Sequence, residues 1–205
     1  MNQVAPGLLT FCLLSGVCHG DGQERKILVK EEFSKKELDK CWNLKGGWAP
    51  EEGELRGKGA AWIDYVPEVP GDFTLTFQAW TEEKANVELM LVDPKTGVPV
   101  YVFSFGGLYR NVLDGVKSAI LRENYFIKSA VCSKMWIYPG RMFTYEVRRE
   151  KNGYEMYLDH ELGPFFVDEN PPANADHLKL RLNFNTSGSR DKFRVDNVTL
   201  SVPAK

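Results

Sequence analysis

Between Phe73 and Val202 the chain keeps returning to one pattern: a short run of alternating apolar and polar residues, closed by turn formers. "FTLTFQAW" (73–80) sets Phe73, Leu75, Phe77 and Ala79 against Thr74, Thr76, Gln78 and Trp80. Side chains alternate across a β-strand, so such a run buries one face and shows the other. "NVELMLVD" (86–93) sets Val87, Leu89 and Leu91 against Asn86, Glu88 and Met90, and "HLKLRLNFN" (177–185) sets leucines and Phe184 against Lys179, Arg181, Asn183 and Asn185. "VPVYVFSF" (98–105) is apolar on both faces, while "FTYEVRRE" (143–150) and "YEMYLDHEL" (154–162) flank the hairpin turn Lys151-Asn152-Gly153. Turn clusters lie at Pro67 to Gly71, Asp93 to Gly97, Pro139-Gly140 and Glu169 to Asn174. Strands this short and this regularly punctuated predict an all-β fold, a two-sheet antiparallel sandwich with at most short helices.

The last run, "FRVDNVTLSV" (193–202), changes phase. Phe193 and Val195 share one parity, and Val198, Leu200 and Val202 the other. One extra residue swaps the buried face of a strand, and Asp196-Asn197 suits a bulge because both tolerate unusual backbone angles. The stretch 106–138 alternates least, and "LDGVKSAILRENY" (113–125) has room for a short helix. A long irregular excursion of this kind is usually functional or an insertion.

The first twenty residues carry no Lys, Arg, Asp or Glu, and Leu8 to Val17 is an apolar run too short to span a bilayer. It fits the core of an export leader, with cleavage expected between Gly20 and Asp21. Residues 1–20 are thus read as a signal peptide and 21–205 as one domain, secreted or periplasmic. Of the four cysteines, Cys41 and Cys132 stay in the mature chain. They are either a disulfide closing a long loop or two buried thiols. No later segment is long and apolar enough for a transmembrane helix.

A formal net charge of −2 without any Lys/Arg run argues against a nucleic-acid partner. Past the leader only His160 and His177 remain, too few for a histidine-rich metal site, and no metal or cofactor is expected. Neither a Gly-rich phosphate loop nor a G-x-S-x-G elbow is present. The E-x-D-x-x-E strand of laminarinase-type glycosidases is also missing. What remains is a surface. If the strands at 73–80, 86–93 and 177–185 share a sheet, its polar face carries Gln78, Trp80, Glu88, Arg181, Asn183 and Asn185. An aromatic ring covers the apolar face of a pyranose, while amides and ions hydrogen-bond its hydroxyls. Trp80 is the expected platform; Glu88 either bonds hydroxyls or forms a salt bridge with Arg181.

The run 31–62, with Phe33, Trp42, Gly46-Gly47-Trp48, Gly53, Leu55 and Gly57, resembles the opening of concanavalin A-like (laminin-G-like) jelly rolls of the 3-keto-disaccharide hydrolase type. "VPGDFTLTFQAW" is similar to their next strand, "YPGRMFTYEVRREKNGYEMYLDHELG" to their hairpin and "FRVDNVTL" to their closing strand. The resemblance implies an exported domain associated with glycans or glycosides, and it carries over no catalytic residue, since the Asn-Ser-Gly stretch of catalytic members is replaced here by "KANVELMLVD". The reading is therefore a lectin-like carbohydrate-binding domain, with a glycoside-cleaving enzyme using a carboxylate pair as the alternative. N-terminal sequencing of the exported chain is expected to begin near Asp21; Met1 retained on a cytoplasmic protein would refute the leader.

Overall fold

A computed structural model describes residues 24–33, 40–69, 71–82, 85–106, 118–122, 127–132, 135, 137–186 and 192–204, without the side chains of 85, 127–132, 185 and 186. The expected leader, residues 1–20, lies outside the described residues.

The alternating runs become strands. In chain order these are β1 (Arg25–Glu31), β2 (Trp42–Lys45), β3 (Ala49–Glu51), β4 (Glu54–Lys58), β5 (Ala61–Val69), β6 (Phe73–Thr81) and β7 (Ala85–Val92). There follow β8 (Pro99–Phe105), β9 (Ser118–Arg122), β10 (Ile127–Cys132), β11 (Met142–Glu150) and β12 (Gly153–Leu158). β13 (Glu161–Val167), β14 (Leu178–Thr186) and β15 (Lys192–Pro203) complete them, and a 3-10 turn at Ala175–His177 precedes β14. They form two antiparallel sheets. One is eight-stranded, in the order β13-β12-β11-β6-β15-β4-β3 with β1 also on β15; the other is seven-stranded, β10-β9-β8-β7-β14-β5-β2. The fold is the all-β sandwich that the alternation predicts.

The bulge falls where the phase change placed it. The register of β15 on β6 shifts between Asp196 and Thr199, and Asn197 takes a φ of 50°. Val195 and Val198 both end up in the core. The extra residue also divides the strand: Lys192 to Val195 pair with β4, and Val198 to Pro203 with β1.

Three expectations take a definite form. Residues 118–122, where a short helix had room, are strand β9, because Ser118, Ala119, Ile120 and Leu121 are all buried. A strand covered on both faces needs no alternation, which is why its period was mute. The run 154–162 is two strands, turned at Asp159 (φ 48°) and His160 (φ 69°). That is the geometry of a tight hairpin turn, made here without glycine. Cys41 and Cys132 flank opposite edges of the seven-stranded sheet, next to β2 and at the end of β10. At about 4.8 Å per strand spacing, the six spacings between those edges far exceed the roughly 7 Å that a disulfide tolerates. The Cys132 side chain itself lies outside the described residues.

Between the sheets the core is aromatic. Phe184 of β14 stacks on Phe193 of β15 at 4.8 Å, with the Trp48 ring edge-on to both. Two glycines of the N-terminal motif stand where a side chain has no room, one of them against these rings. A Cβ on Gly57 would stand 2.2 Å from the Phe193 ring and 2.8 Å from Trp48, and Gly46 holds a φ of +98° with Ala61 Cβ only 2.7 Å from where its own would be. The Gly57→Ala variant should therefore lose about 1–3 kcal/mol in urea unfolding. Gly47→Ala, whose Cβ would meet the flexible Lys58 side chain at 3.2 Å, should stay within about 0.5 kcal/mol of the parent.

Candidate functional site

Strand assignment divides the six expected site residues. Gln78 and Trp80 stand on β6 in the eight-stranded sheet, whereas Glu88 and Arg181, Asn183 and Asn185 stand on β7 and β14 in the other. The outer faces of a two-sheet sandwich point away from each other, so one ligand cannot touch both sets. The Asn185 side chain lies outside the described residues.

On the eight-stranded sheet the expected platform carries a cation at closer range than Trp62 does on the other sheet. The Arg194 guanidinium lies 4.7 Å from the centre of the Trp80 ring, and the Gln78 carbonyl accepts a 2.8 Å bond from Asn197 Nδ2. Burial holds the Asp196 carboxyl beside them above its ordinary range.

The outer face of the seven-stranded sheet is organised by register. Cross-strand partners run Lys45, Trp62, Asn183, Glu88, Ser104 along one row, and Asn43, Asp64, Arg181, Met90, Val102, Leu121 along the next. Directly opposed residues on one face have Cβ atoms about 4.5–5.5 Å apart, so each row is a contact series. The rows change character along their length. On β7, β8 and β9 they are buried: Met90, Val92, Val102, Ala119 and Leu121 form a second apolar cluster, and Glu88 is 0% exposed. On β2, β5 and β14 they are polar and half-buried or exposed, with Trp62 as their aromatic.

The register also corrects the expected partner of Glu88. Arg181 is opposite Asp64, not Glu88, and binds it through Nε at 2.6 Å and a second nitrogen at 3.1 Å. The same guanidinium sits 5.5 Å from the Trp62 ring centre. Glu88 instead accepts from Asn86 Nδ2 at 2.6 Å and Asn183 Nδ2 at 2.7 Å, and Ser104 Oγ donates to Asn86 Oδ1 at 2.9 Å. Its outward, ligand-facing role is replaced by a buried one.

Beside Arg181 lies a groove of about 220 Å³ whose lining includes Asn43, Asp64, Val92, Asp93, Lys179 and Arg181. Its wall is the turn after β7, fixed by Asp93. That carboxylate accepts from the Thr96 N–H at 2.8 Å, the Lys95 N–H at 2.9 Å and Asn174 Nδ2 at 2.6 Å. The Thr96 N–H, first among these, holds the Asp93 carboxyl below its ordinary range. Among the described residues no group of His, Cys, Asp and Glu is placed to hold a metal ion, and no helix is long and apolar enough to cross a membrane.

Trp62 and Asp64 were absent from the sequence-based site. "AWIDY" does alternate, Ala61, Ile63 and Tyr65 inward against Trp62 and Asp64, and that signal was available. Which sheet the strand joins was not.

With this geometry in place, comparison with solved structures gives the fold. A Bacillus subtilis protein of unknown function with a galectin-like fold superposes with a TM-score of 0.67 at 10% identity, over 89% of this chain and 100% of that one. The carbohydrate-binding module CBM66 from Bacillus subtilis gives 0.57 at 18% identity, over 79% and 96%. A mutant of SCLam, a non-specific endo-β-1,3(4)-glucanase of family GH16 crystallised with an oligosaccharide, gives 0.66 at 13% identity, over 87% and 95%. The chain has a galectin-like, concanavalin-like sandwich fold. No family model matches it, and no curated protein matches it by sequence.

The Asp64–Arg181 pair is two-pronged and only about one-fifth exposed on either side, at 21% and 22%. A double-mutant cycle of Asp64→Asn and Arg181→Met should give a coupling of about 1 kcal/mol in urea unfolding, the upper end of what exposed pairs contribute.

Proposed function

We propose that this chain is an exported, lectin-like domain that binds a glycan on the β2–β5–β14 half of its seven-stranded sheet. One observation carries the reading: Trp62 stands in cross-strand register with Lys45 and Asn183, and the adjoining row offers Asn43, Asp64 and Arg181 beside an open groove. A half-buried indole supplies a stacking surface for a pyranose, and the side chains around it supply both donors and acceptors for its hydroxyls. The similarity to CBM66, a carbohydrate-binding module by name, supports the same class of ligand. A leader at residues 1–20 and a secreted or periplasmic location belong to this reading.

The second reading is a glycoside-cleaving enzyme, a glycoside hydrolase or a 3-keto-glycoside hydrolase using a carboxylate pair, favoured by the four sequence motifs in order and by the likeness to a GH16 glucanase. Cleavage needs two carboxyl groups on either side of the scissile bond, about 5–10 Å apart. On this face the carboxylates are committed elsewhere: Asp64 is held by Arg181, Asp93 by the N–H groups of its own turn and by Asn174, and Glu88 is buried against two amides. The geometry favours holding a sugar over cutting one.

On a glycan array, Trp62→Ala should cost the full chain about 1–2 kcal/mol for its best ligand, or roughly tenfold in affinity. Trp80→Ala should change it little. Unaltered affinity in a folded Trp62→Ala variant would move the site elsewhere, and sugar products released by the purified chain would favour the enzyme.

A further inference from the structure

Glu88 is a fully buried carboxylate on a central strand, one step behind the exposed half of the face. Amide groups approach both of its oxygens, Asn86 at 2.6 Å and Asn183 at 2.7 Å. Both bonds run from an amide nitrogen to a carboxyl oxygen, so each amide turns its NH₂ inward. The carbonyl oxygen of Asn183 is thereby aimed away from Glu88. No described side chain donates to that oxygen, while Asn183 is half-buried and directly opposite Trp62. On the other branch, Ser104 Oγ donates to Asn86 Oδ1 at 2.9 Å, so Asn86 also has a fixed sense.

We infer that Glu88 is a positioning residue that sets the specificity of the face. It fixes the sense of the Asn183 amide, so that its carbonyl oxygen, which only accepts, keeps one place on the row it shares with Trp62. A sugar seated on Trp62 must then bring a free hydroxyl to that point, and an ether oxygen there is refused. An unlocked amide could turn and serve either group. The inference rests on the glycan reading above and names what that site selects for.

Two measurements on the full chain separate the parts. In the nitrogen-15-labelled protein, the Asn183 side-chain amide protons should exchange at least about tenfold more slowly in the wild type than in Glu88→Leu, where the acceptor is gone. The second uses the best ligand of a neutral-glycan array and its complete set of mono-O-methyl derivatives. The wild type should reject one of these ethers by at least about tenfold relative to the parent glycan. Both Glu88→Leu and the milder Glu88→Gln should narrow that ratio, with a smaller loss for the parent. A merely structural role would weaken parent and ether alike and leave the ratio intact, which would overturn the inference. Equal amide exchange in wild type and Glu88→Leu would overturn it too. A wild-type chain that binds no array glycan would bring down the glycan reading and its selectivity together, while the exchange rates would still decide whether Glu88 holds Asn183.

Discussion

Rings meeting across the sandwich hold the two sheets in a fixed relation, and the rest of the molecule inherits its positions from them. Phe184 on Phe193, Phe105 edge-on to Tyr145 at 5.0 Å and Tyr101 against Tyr154 at 4.6 Å each join one sheet to the other. Such pairs contribute about 0.5–1.5 kcal/mol beyond the area they bury, and their preferred angles resist sliding in a way that aliphatic contacts do not. Tyr101 is tied further: its hydroxyl donates to buried Asp168 at 2.6 Å, which also receives Arg122 at 3.0 Å. With the inner faces locked, the pleat leaves no freedom to the outer ones. Trp62 faces outward because Ala61 and Ile63 face inward.

Much of this was legible along the chain, and the reason is local. A period of two reports which residues share a face, so the strands at 73–80, 86–93 and 143–150 and the bulge at Asp196-Asn197 could be read directly. Sheet membership is not local. β6 and β7 are neighbours in sequence yet belong to different sheets, because β6 lies between β11 and β15 while β7 lies between β8 and β14. Nothing in "FTLTFQAW" or "NVELMLVD" states that. The same gap misassigned the partner of Arg181: Asp64 is 117 residues away in sequence and one strand away in space. Glu88 reads as an outward polar residue by parity, and parity is right. Its burial depends on what covers that half of the face.

The two outer faces show how one architecture separates a finished surface from an available one. On the eight-stranded sheet, polar groups answer one another: Arg194 covers Trp80, Asn197 bonds Gln78, and Arg148 lies over the Tyr157 ring at 4.4 Å while ion-pairing with Glu146. On the β2–β5–β14 face, Asn43, Lys179 and Arg181 border a groove without closing it. Solved structures with this fold include both a sugar-binding module and a glucanase, so the sandwich alone does not choose between them. The choice lies in how the carboxylates are engaged.

The pairing of β1 with β15 carries a consequence for how the chain reaches its native state. Residues 25 to 31 find their partners at 198 to 203, with nearly the whole domain between them, and β4 likewise waits for residues 192 to 195. Contacts this distant in sequence demand closure of very long loops before they return any stabilisation, which makes folding slow relative to helical domains. During synthesis, β4 emerges with one hydrogen-bonding edge reserved for a strand not yet made and β6 with both, and the inner face of each is apolar. Nascent chains would spend that interval with Leu55, Leu75 and Phe77 uncovered, the condition in which chaperone contact and edge-to-edge aggregation compete with folding.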